Sequence, residues 1–419
     1  MVRIYRFAGV RPERSAAPAI AAVPYDVVTV DEARAIIEKD PQSFLRVSRS
    51  DAELPGIPPY DDRVYKRARD NFLGYLKDGS MQKDTAPGMY LYRVRNANET
   101  FLGLCCCLDV DDYRTNHIRR HEQTRYDKEE DRTRHIEVTR THNGPVVLLY
   151  RDTGGVFSFI DSLVSDGRVP EAELRTYNGA IHQMYRISDP SSLNNLEMLF
   201  ARVPDLYIAD GHHRAKSAVN VADRNPNADK DAEINRFMGV LFAHDRVRIH
   251  GYSRLLTDLG SFTPQSFLAG LAEFFDIQPY ENVDDLGYNI QPRTKDTDKF
   301  HVMHIYLKGQ WYECVRNISP TAPALESLDV VVLQKYVLKD MLGITDPRGD
   351  SRLQYLGGAR PIRDIEQMVD CGEYMTAFVM QPVKVDTVLA IADAHGIMPP
   401  KSTWFEPKLM SGLVVHTFE

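Results

Sequence analysis

The spacing of apolar and polar positions predicts strands and helices in mixed order along the chain. A short N-terminal strand leads into the turn-rich "AVPYDVVTVDEARAII", where Thr29 or Asp31 can cap a helix to about Lys39. "YDDRVYKRARDNFLGYLKDG" has helical spacing and Gly79 to stop it. "GMYLYRVRNANETFLGLCCCLDV" alternates on both sides of "NANE" and predicts a hairpin. From Asp112 to Asn143 the chain is densely charged, after which "GPVVLLYRD" and "PDLYIADGHHRAKSAVNVADRN" predict a strand and then a strand–helix unit. "FMGVLFAHDRVRIHGYSRLL" predicts a second hairpin. Further on stand the helix-like "PQSFLAGLAEFF", the strand-like "KFHVMHIYL" and the long helix "LDVVVLQKYVLKDML". The glycine-rich loop "DPRGDSRLQYLGGAR" and the tail "MPPKSTWFEPKLMSGLVVHTFE" follow. These elements predict an interwoven α+β body without repeats, with lobes at 1–150, 151–260 and 261–419 inside one unit spanning 1–419.

Composition narrows the class. The 419 residues are 43% hydrophobic and 26% charged, as in an ordinary globular protein. With 51 basic against 59 acidic side chains the formal charge is -8, which counts against a broad nucleic-acid-binding surface and leaves room for a local anion site. "MVRIYRFAGVRPERS" lacks the apolar core of a signal peptide, and no apolar run approaches a membrane span, so a cytoplasmic, non-membrane protein is expected. Five cysteines include the triplet Cys105 to Cys107, whose side chains alternate across a strand. That triplet predicts a partly buried strand in a reducing compartment, not a metal cage.

The chemistry gathers in "LYIADGHHRAKSAV". An apolar strand ends at Asp210, Gly211 permits a tight turn, and a helix begins near His212 to Ala215. Free N–H groups at such a helix start bind anions, and Arg214 adds a planar fork for phosphate oxygens. His212 and His213 can donate hydrogen bonds or move protons, and Asp210 can hold Mg2+ or orient a hydroxyl. The plainer alternative is an Asp cap with two histidines decorating the first turn. Crowding of two histidines and an arginine onto one helix start favours the functional reading.

"RRHEQTRYDKEEDR" presents a second cluster. Its spacing is not that of a zincin, because the fourth residue after His121 is Arg125, and with no paired CxxC motifs no structural zinc is expected. Arg120, His121, Lys128 and Arg132 suit phosphate oxygens, while Glu129 and Asp131 suit Mg2+. A solvated charged loop entering a helix accounts for the same residues equally well. In "PPKSTWFEPKL", Lys401, Ser402 and Thr403 resemble the end of a phosphate loop without its glycines. Asp26 in "PYDV" and Arg46, Ser48 and Arg49 in "FLRVSRSD" are further polar points near turns.

Taken together, "VPYDVV", "SFLRVSRSDAELP", "RRHEQTRYDKEEDR", "PVVLLYRD", "YIADGHHR", "LGITDPRGDSRLQYLGG" and "MPPKSTWFEPKLMSGL" resemble, in this order and over nearly the whole chain, the bacterial and archaeal domain-of-unknown-function family 1015 (DUF1015). The D-G-H-H-R box is also similar to the phosphate-binding box of the ParB/sulfiredoxin-like fold, and in particular to that of free-serine kinases, which make O-phosphoserine from L-serine with ADP, ATP or pyrophosphate. The resemblance implies a ParB/sulfiredoxin-like mixed core elaborated by large N-terminal, inserted and C-terminal segments. It implies a phosphoryl-donor site at Asp210 to Arg214, with Mg2+ accompanying the donor. Those kinases use an acidic base near the N-terminus, and Asp26 and Glu122 are the positions to test for that role. Asp210 and His213 complete the catalytic set expected here. Arg46, Ser48, Arg49, Lys401, Ser402 and Thr403 are the residues expected to bind the acceptor. The chain departs from the kinases by a long insertion before the box and a large C-terminal extension, which leaves donor and acceptor open. Histidine also stands where sulfiredoxins carry their reactive cysteine. The expected partners are small molecules, with a homodimer allowed. The alternative is a non-catalytic, nucleotide-binding ParB-like regulator.

Overall fold

The computed structural model describes residues 1–164, 167–284, 286–347, 349–357 and 360–418. They form two compact units: 1–120 with 124–247 and 407–419, and 121–123 with 248–406. The mixed α+β class is as expected.

The first unit is built on a nine-stranded sheet. In chain order its strands are β1 (Ile4–Tyr5), β2 (Met89–Arg95), β3 (Thr100–Asp109), β4 (Ile118–Arg119), β5 (Val146–Tyr150), β6 (Ala172–Arg175), β7 (Ile181–Ile187), β8 (Leu206–Asp210) and β9 (Arg236–Ala243). Their spatial order is β4-β8-β5-β9-β3-β2-β7-β6, with β1 beside β3. The hairpin expected around residues 96–99 is β2–β3, with Arg95 opposite Thr100 and Tyr90 opposite Cys105. β3 is buried from Phe101 to Leu108, so the cysteine triplet lies deeper than the partly covered strand the sequence predicts. All three thiols are free, and burial pushes them far above the ordinary thiol range.

Four helices matter for the site. In α1 (Val30–Lys39) Thr29 and Glu32 form a reciprocal capping box, as the T-x-x-E spacing predicts. α2 (Asp62–Lys77) is capped by Asp61 and ends before Gly79, whose φ is +79°. α3 (Tyr126–Thr139) and α4 (His212–Asp223) pack together, Ser217 Oγ donating to the Glu129 carbonyl at 3.0 Å. A separate core of Val10, Ile20, Phe44, Leu45, Phe72 and Val415 ties the N-terminal helices to the end of the chain. Residues 407–418 reach that place by bridging Ala22 with Ser411 and Val10 with Val415, then pairing His416–Thr417 with Thr141–His142.

The second unit holds a six-stranded antiparallel sheet. Its strands are β10 (Ser253–Leu256), β11 (Asp276–Tyr280), β12 (Phe300–Leu307), β13 (Gln310–Asn317), β14 (Leu353–Leu356) and β15 (Thr376–Met380), in the spatial order β11-β13-β12-β15-β10-β14. The long helix starts as α-helix at Asp329–Val332 and widens to π-helix over Leu333–Met341. Two expectations need correction. The hairpin read into residues 237–256 does not form: β9 joins the nine-stranded sheet and β10 the six-stranded one. Alternation marks a strand but not its partner, and the unit boundary falls between Val247 and Arg248. The glycine-rich loop at 346–360 contains β14, although Arg348, Gly358 and Ala359 lie outside the described residues. Among the described residues no helix is long and apolar enough to cross a membrane.

Gly412 fixes the returning C-terminal segment. Its φ is +86°, and a Cβ there would lie 2.7 Å from the ring of fully buried Phe44. Gly56 has a similar φ of +81° with open space around it. Gly412→Ala is therefore expected to cost about 2–4 kcal/mol, strain plus overpacking, and Gly56→Ala only about 1–2 kcal/mol. Urea unfolding followed by circular dichroism checks the difference.

Candidate functional site

The site grows from the junction of β8 and α4. The pairing of β8 with β5 shifts between Ile208 and Asp210, which turns the strand end out of the regular ladder. Gly211 follows with φ +96° and ψ +30°. A Cβ at Gly211 would stand 3.0 Å from the Arg214 guanidinium carbon, so glycine is required by both backbone and space. Gly211 has no side chain with which to cap α4, whose helix start carries the positive end of the helix dipole.

Asp210 receives two cations. Lys408 Nζ donates to Oδ2 at 3.1 Å, and an Arg214 guanidinium nitrogen lies 3.5 Å from Oδ1. Burial alone would raise the Asp210 carboxyl, but Lys408 and Arg214 outweigh it and hold the group well below the usual carboxylate range. Arg214 also donates to the Pro145 carbonyl, and its stem lies against Gly144. Its Nε is buried and finds no hydrogen-bond partner among the described residues. Burial works against the Arg214 charge, but Asp210, Asp26 and Tyr25 restore it, and the group stays cationic. His213 Nε2 accepts from the Arg125 N–H at 3.0 Å, at the start of α3. Burial lowers the His213 imidazole, which fits a neutral ring with a bare Nε2. His212 is buried.

A small cavity, partly open to solvent, adjoins this junction. Its polar lining is Tyr25, Arg132, His135, His142, Asn143 and Arg214. Arg132 packs over the Tyr25 ring at 4.4 Å and is paired with Asp131 at 2.8 Å. Burial and Asp26 push the Tyr25 hydroxyl up to about 12. His135 Nε2 donates to the Val47 carbonyl at 2.9 Å, and burial takes the imidazole down to about 4.

Asp210, Gly211, His212, His213, Arg214, Arg132 and exposed Asp26 thus gather around the start of α4. The other expected residues do not join them. Arg120 sits over Tyr113 at 4.6 Å, and Lys128 reaches Tyr60. Arg46 is held by Glu53, Asn71 and the Pro41 carbonyl, whereas Ser48 bonds its own helix and lends its carbonyl to Arg132. Arg49 serves Asp51 and the carbonyls of Tyr25 and Val28, so it shapes the turn carrying Asp26. His121, Glu122, Lys401, Ser402 and Thr403 belong to the second unit. There His121 faces Phe405, Lys401 covers the Tyr252 ring, and Ser402 donates to the Pro399 carbonyl at 2.6 Å.

The expected metal carboxylates are dispersed. Glu129 accepts from Thr124, Asp131 from Tyr65 and Arg132, and Asp210 from Lys408. Among the described residues the ligand atoms of Cys107, Glu233 and His416 cluster within 4.8 Å. Within that trio Glu233 Oε2 is 2.7 Å from His416 Nε2, and Glu233 Oε1 accepts from Arg236 at 2.7 Å. Lys408, Tyr25 and His142 are site residues that the sequence did not single out. Lys408 lies in "EPKL", seven residues after Lys401 in the same motif.

Residues 4–331 match the family described as protein of unknown function (DUF1015). The chain belongs to this family. No curated protein matches it. Among solved structures, similarity extends to a free serine kinase in complex with AMP, at 12% identity and TM-score 0.39 over 74% of this chain and 90% of that one. A conserved hypothetical protein from Pyrococcus furiosus aligns at 13% identity and TM-score 0.35, over 72% and 90% of the two chains. SbnI with a C-terminal truncation, from Staphylococcus aureus, aligns at 9% and 0.36, over 72% and 82%. Likenesses at TM-scores below 0.5 carry no argument about activity, and the site of this DUF1015 member stands on its own geometry.

The Asp210–Lys408 pair makes a stability prediction. A carboxyl held below its unfolded value contributes stability that is present above about pH 4 and lost as pH falls through the folded value. Lys408→Met should cost about 1–2 kcal/mol at pH 7, between exposed and fully buried pairs. The gap to wild type should narrow as pH drops below about 4. Urea midpoints at pH 7, 5 and 3 check this, and a gap independent of pH would contradict it.

Proposed function

We propose that this DUF1015 protein is a small-molecule phosphotransferase, most concretely a free L-serine kinase making O-phosphoserine. The observation that carries the reading is the buried, unpartnered Nε of Arg214 beside an uncapped helix start. A buried donor without an acceptor is costly, and a phosphate oxygen at the helix start satisfies it. Arg214 and Lys408 against Asp210 leave one positive charge in excess, which favours an anion. The resemblance of the D-G-H-H-R box to that of free-serine kinases supports the same conclusion.

In this reading the donor phosphates lie on the first turn of α4 and on Arg214. Arg132, lining the same cavity, supplies a second guanidinium for the acceptor's carboxylate. Catalysis rests mainly on positioning and charge neutralisation. Mg2+ arrives as the donor's counter-ion, because Asp210, Glu129 and Asp131 do not form a ready cage.

Phosphorus NMR tests the assignment, combining L-serine and Mg2+ with pyrophosphate, ADP or ATP in turn. One donor should give a phosphoserine resonance. Arg214→Ala should weaken donor binding about 10- to 100-fold, the loss of one or two charge-assisted hydrogen bonds. Chelation of Mg2+ should abolish turnover. Silence with every donor would sink the kinase, and donor binding retained by a silent wild type but lost in Arg214→Ala would indicate the nucleotide-binding regulator.

A further inference from the structure

His142 is 5% exposed, lines the cavity beside Arg214, and its Nε2 finds no hydrogen-bond partner among the described residues. Its other nitrogen is engaged. Thr141–His142 pairs antiparallel with His416–Thr417, placing the two histidines directly opposite each other. Their Nδ1 atoms are 3.0 Å apart, and the rings lie within 24° of parallel. His416, 1% exposed, turns its Nε2 toward Glu233 Oε2 at 2.7 Å. Arg236 donates to the other oxygen, Glu233 Oε1, also at 2.7 Å.

These contacts fix the protons. An ionised carboxylate only accepts, so His416 Nε2 carries a hydrogen. With the histidine pair neutral, His416 Nδ1 then bears a lone pair and must accept. His142 Nδ1 therefore donates, which leaves His142 Nε2 bare. Burial and the adjacent His416 ring keep His142 from charging by itself. The groups around the chain point the same way. Arg132 and Arg214 line the cavity on the His142 side, and the Glu233 carboxylate faces His416. Tyr25, His135 and the Cys107 thiol are held neutral near it.

We propose that His142 is the proton acceptor for a ligand hydroxyl in this cavity, with His416 and Glu233 as the positioning residues that keep its Nε2 bare. The proposal rests on the phosphotransfer reading for the identity of that hydroxyl. As the alcohol oxygen bonds to phosphorus, its O–H bond breaks and an Nε2–H bond forms on His142. The Nδ1 proton of His142 passes to His416 Nδ1. The positive charge then resides on His416 against the Glu233 carboxylate, away from the two arginines, and the donor departs with the electron pair of the broken P–O bond. Asp210 is less suited to this task, because two cations already hold its carboxylate.

Glu233→Gln separates the proton pattern from the fold, since it is isosteric and Glu233 is 37% exposed. Arg236 keeps the amide oxygen on its own side, so the amide nitrogen faces His416 Nε2 and donates. The pattern inverts: His416 Nδ1 donates, and His142 Nε2 becomes protonated. Long-range proton–nitrogen NMR of the full chain at neutral pH reads this directly. The expected result is a bare His142 Nε2 in wild type and a protonated one in Glu233→Gln, with the His142 signals assigned by their loss in His142→Gln. A protonated His142 Nε2 in wild type, or no inversion in the variant, would overturn the proposal whatever the enzyme does. In the phosphoserine assay Glu233→Gln should lower kcat about 100-fold or more with the donor KM unchanged. Unchanged kcat beside an inverted pattern would equally overturn it. A wild type silent with every donor, yet showing the inversion, would remove the kinase reading and leave the bare acceptor established.

Discussion

Asp210 sits between Arg214, four residues on, and Lys408, 198 residues on, and the arrangement of the site follows from that three-way contact. Asp210 and Arg214 belong to a strand end and a helix start, which a left-handed glycine brings close enough to pair. Lys408 belongs to the C-terminal segment, so the site is complete only after that segment has bridged to Ala22 and Val10. A buried carboxylate with a single cation would be close to balanced. With two it leaves an excess positive charge in a place that water reaches poorly, and such a charge is relieved by an anion. Asp26 contributes to the field at Arg214 but is exposed, where solvent screens it.

α3 shows how a highly charged stretch serves several neighbours at once. Arg132, His135 and Ile136, at helical spacing, present one face to the cavity. Glu130 and Glu137 lie on another face, where both accept from Arg224, just past the end of α4. Asp131 and Arg134 engage Tyr65 and Asp62 of α2. The charged side chains of the helix thus point to several neighbours rather than to one. Its charges are divided among three surroundings, and the cavity side supplies one guanidinium.

Elements whose signal is local were legible from the sequence. The Thr29–Glu32 capping box, the β2–β3 hairpin and the strand–glycine–helix passage at Asp210 to Arg214 depend on neighbours a few residues away. What escaped depends on distant pairing. β9 and β10 alternate alike, and nothing in alternation says that they enter different sheets. Lys401 and Lys408 lie in one motif, and only the return of residues 407–418 to the first unit decides which lysine meets Asp210. His142 had no local mark, because its role arises from the register that sets it against His416.

The histidines around the cavity share one electrostatic property with a functional consequence. Burial lowers His213 and His142 and takes His135 to about 4, so near neutral pH their rings are uncharged. The positive charge facing a ligand then comes from the guanidiniums of Arg214 and Arg132, which stay protonated near neutrality. Lone pairs come from the imidazoles, one already spent at His213 on the Arg125 N–H. Dividing the work in this way keeps attraction for an anion constant with pH while leaving a nitrogen able to receive a proton. Had the histidines carried the charge, binding the anion and accepting the proton would have competed for the same groups.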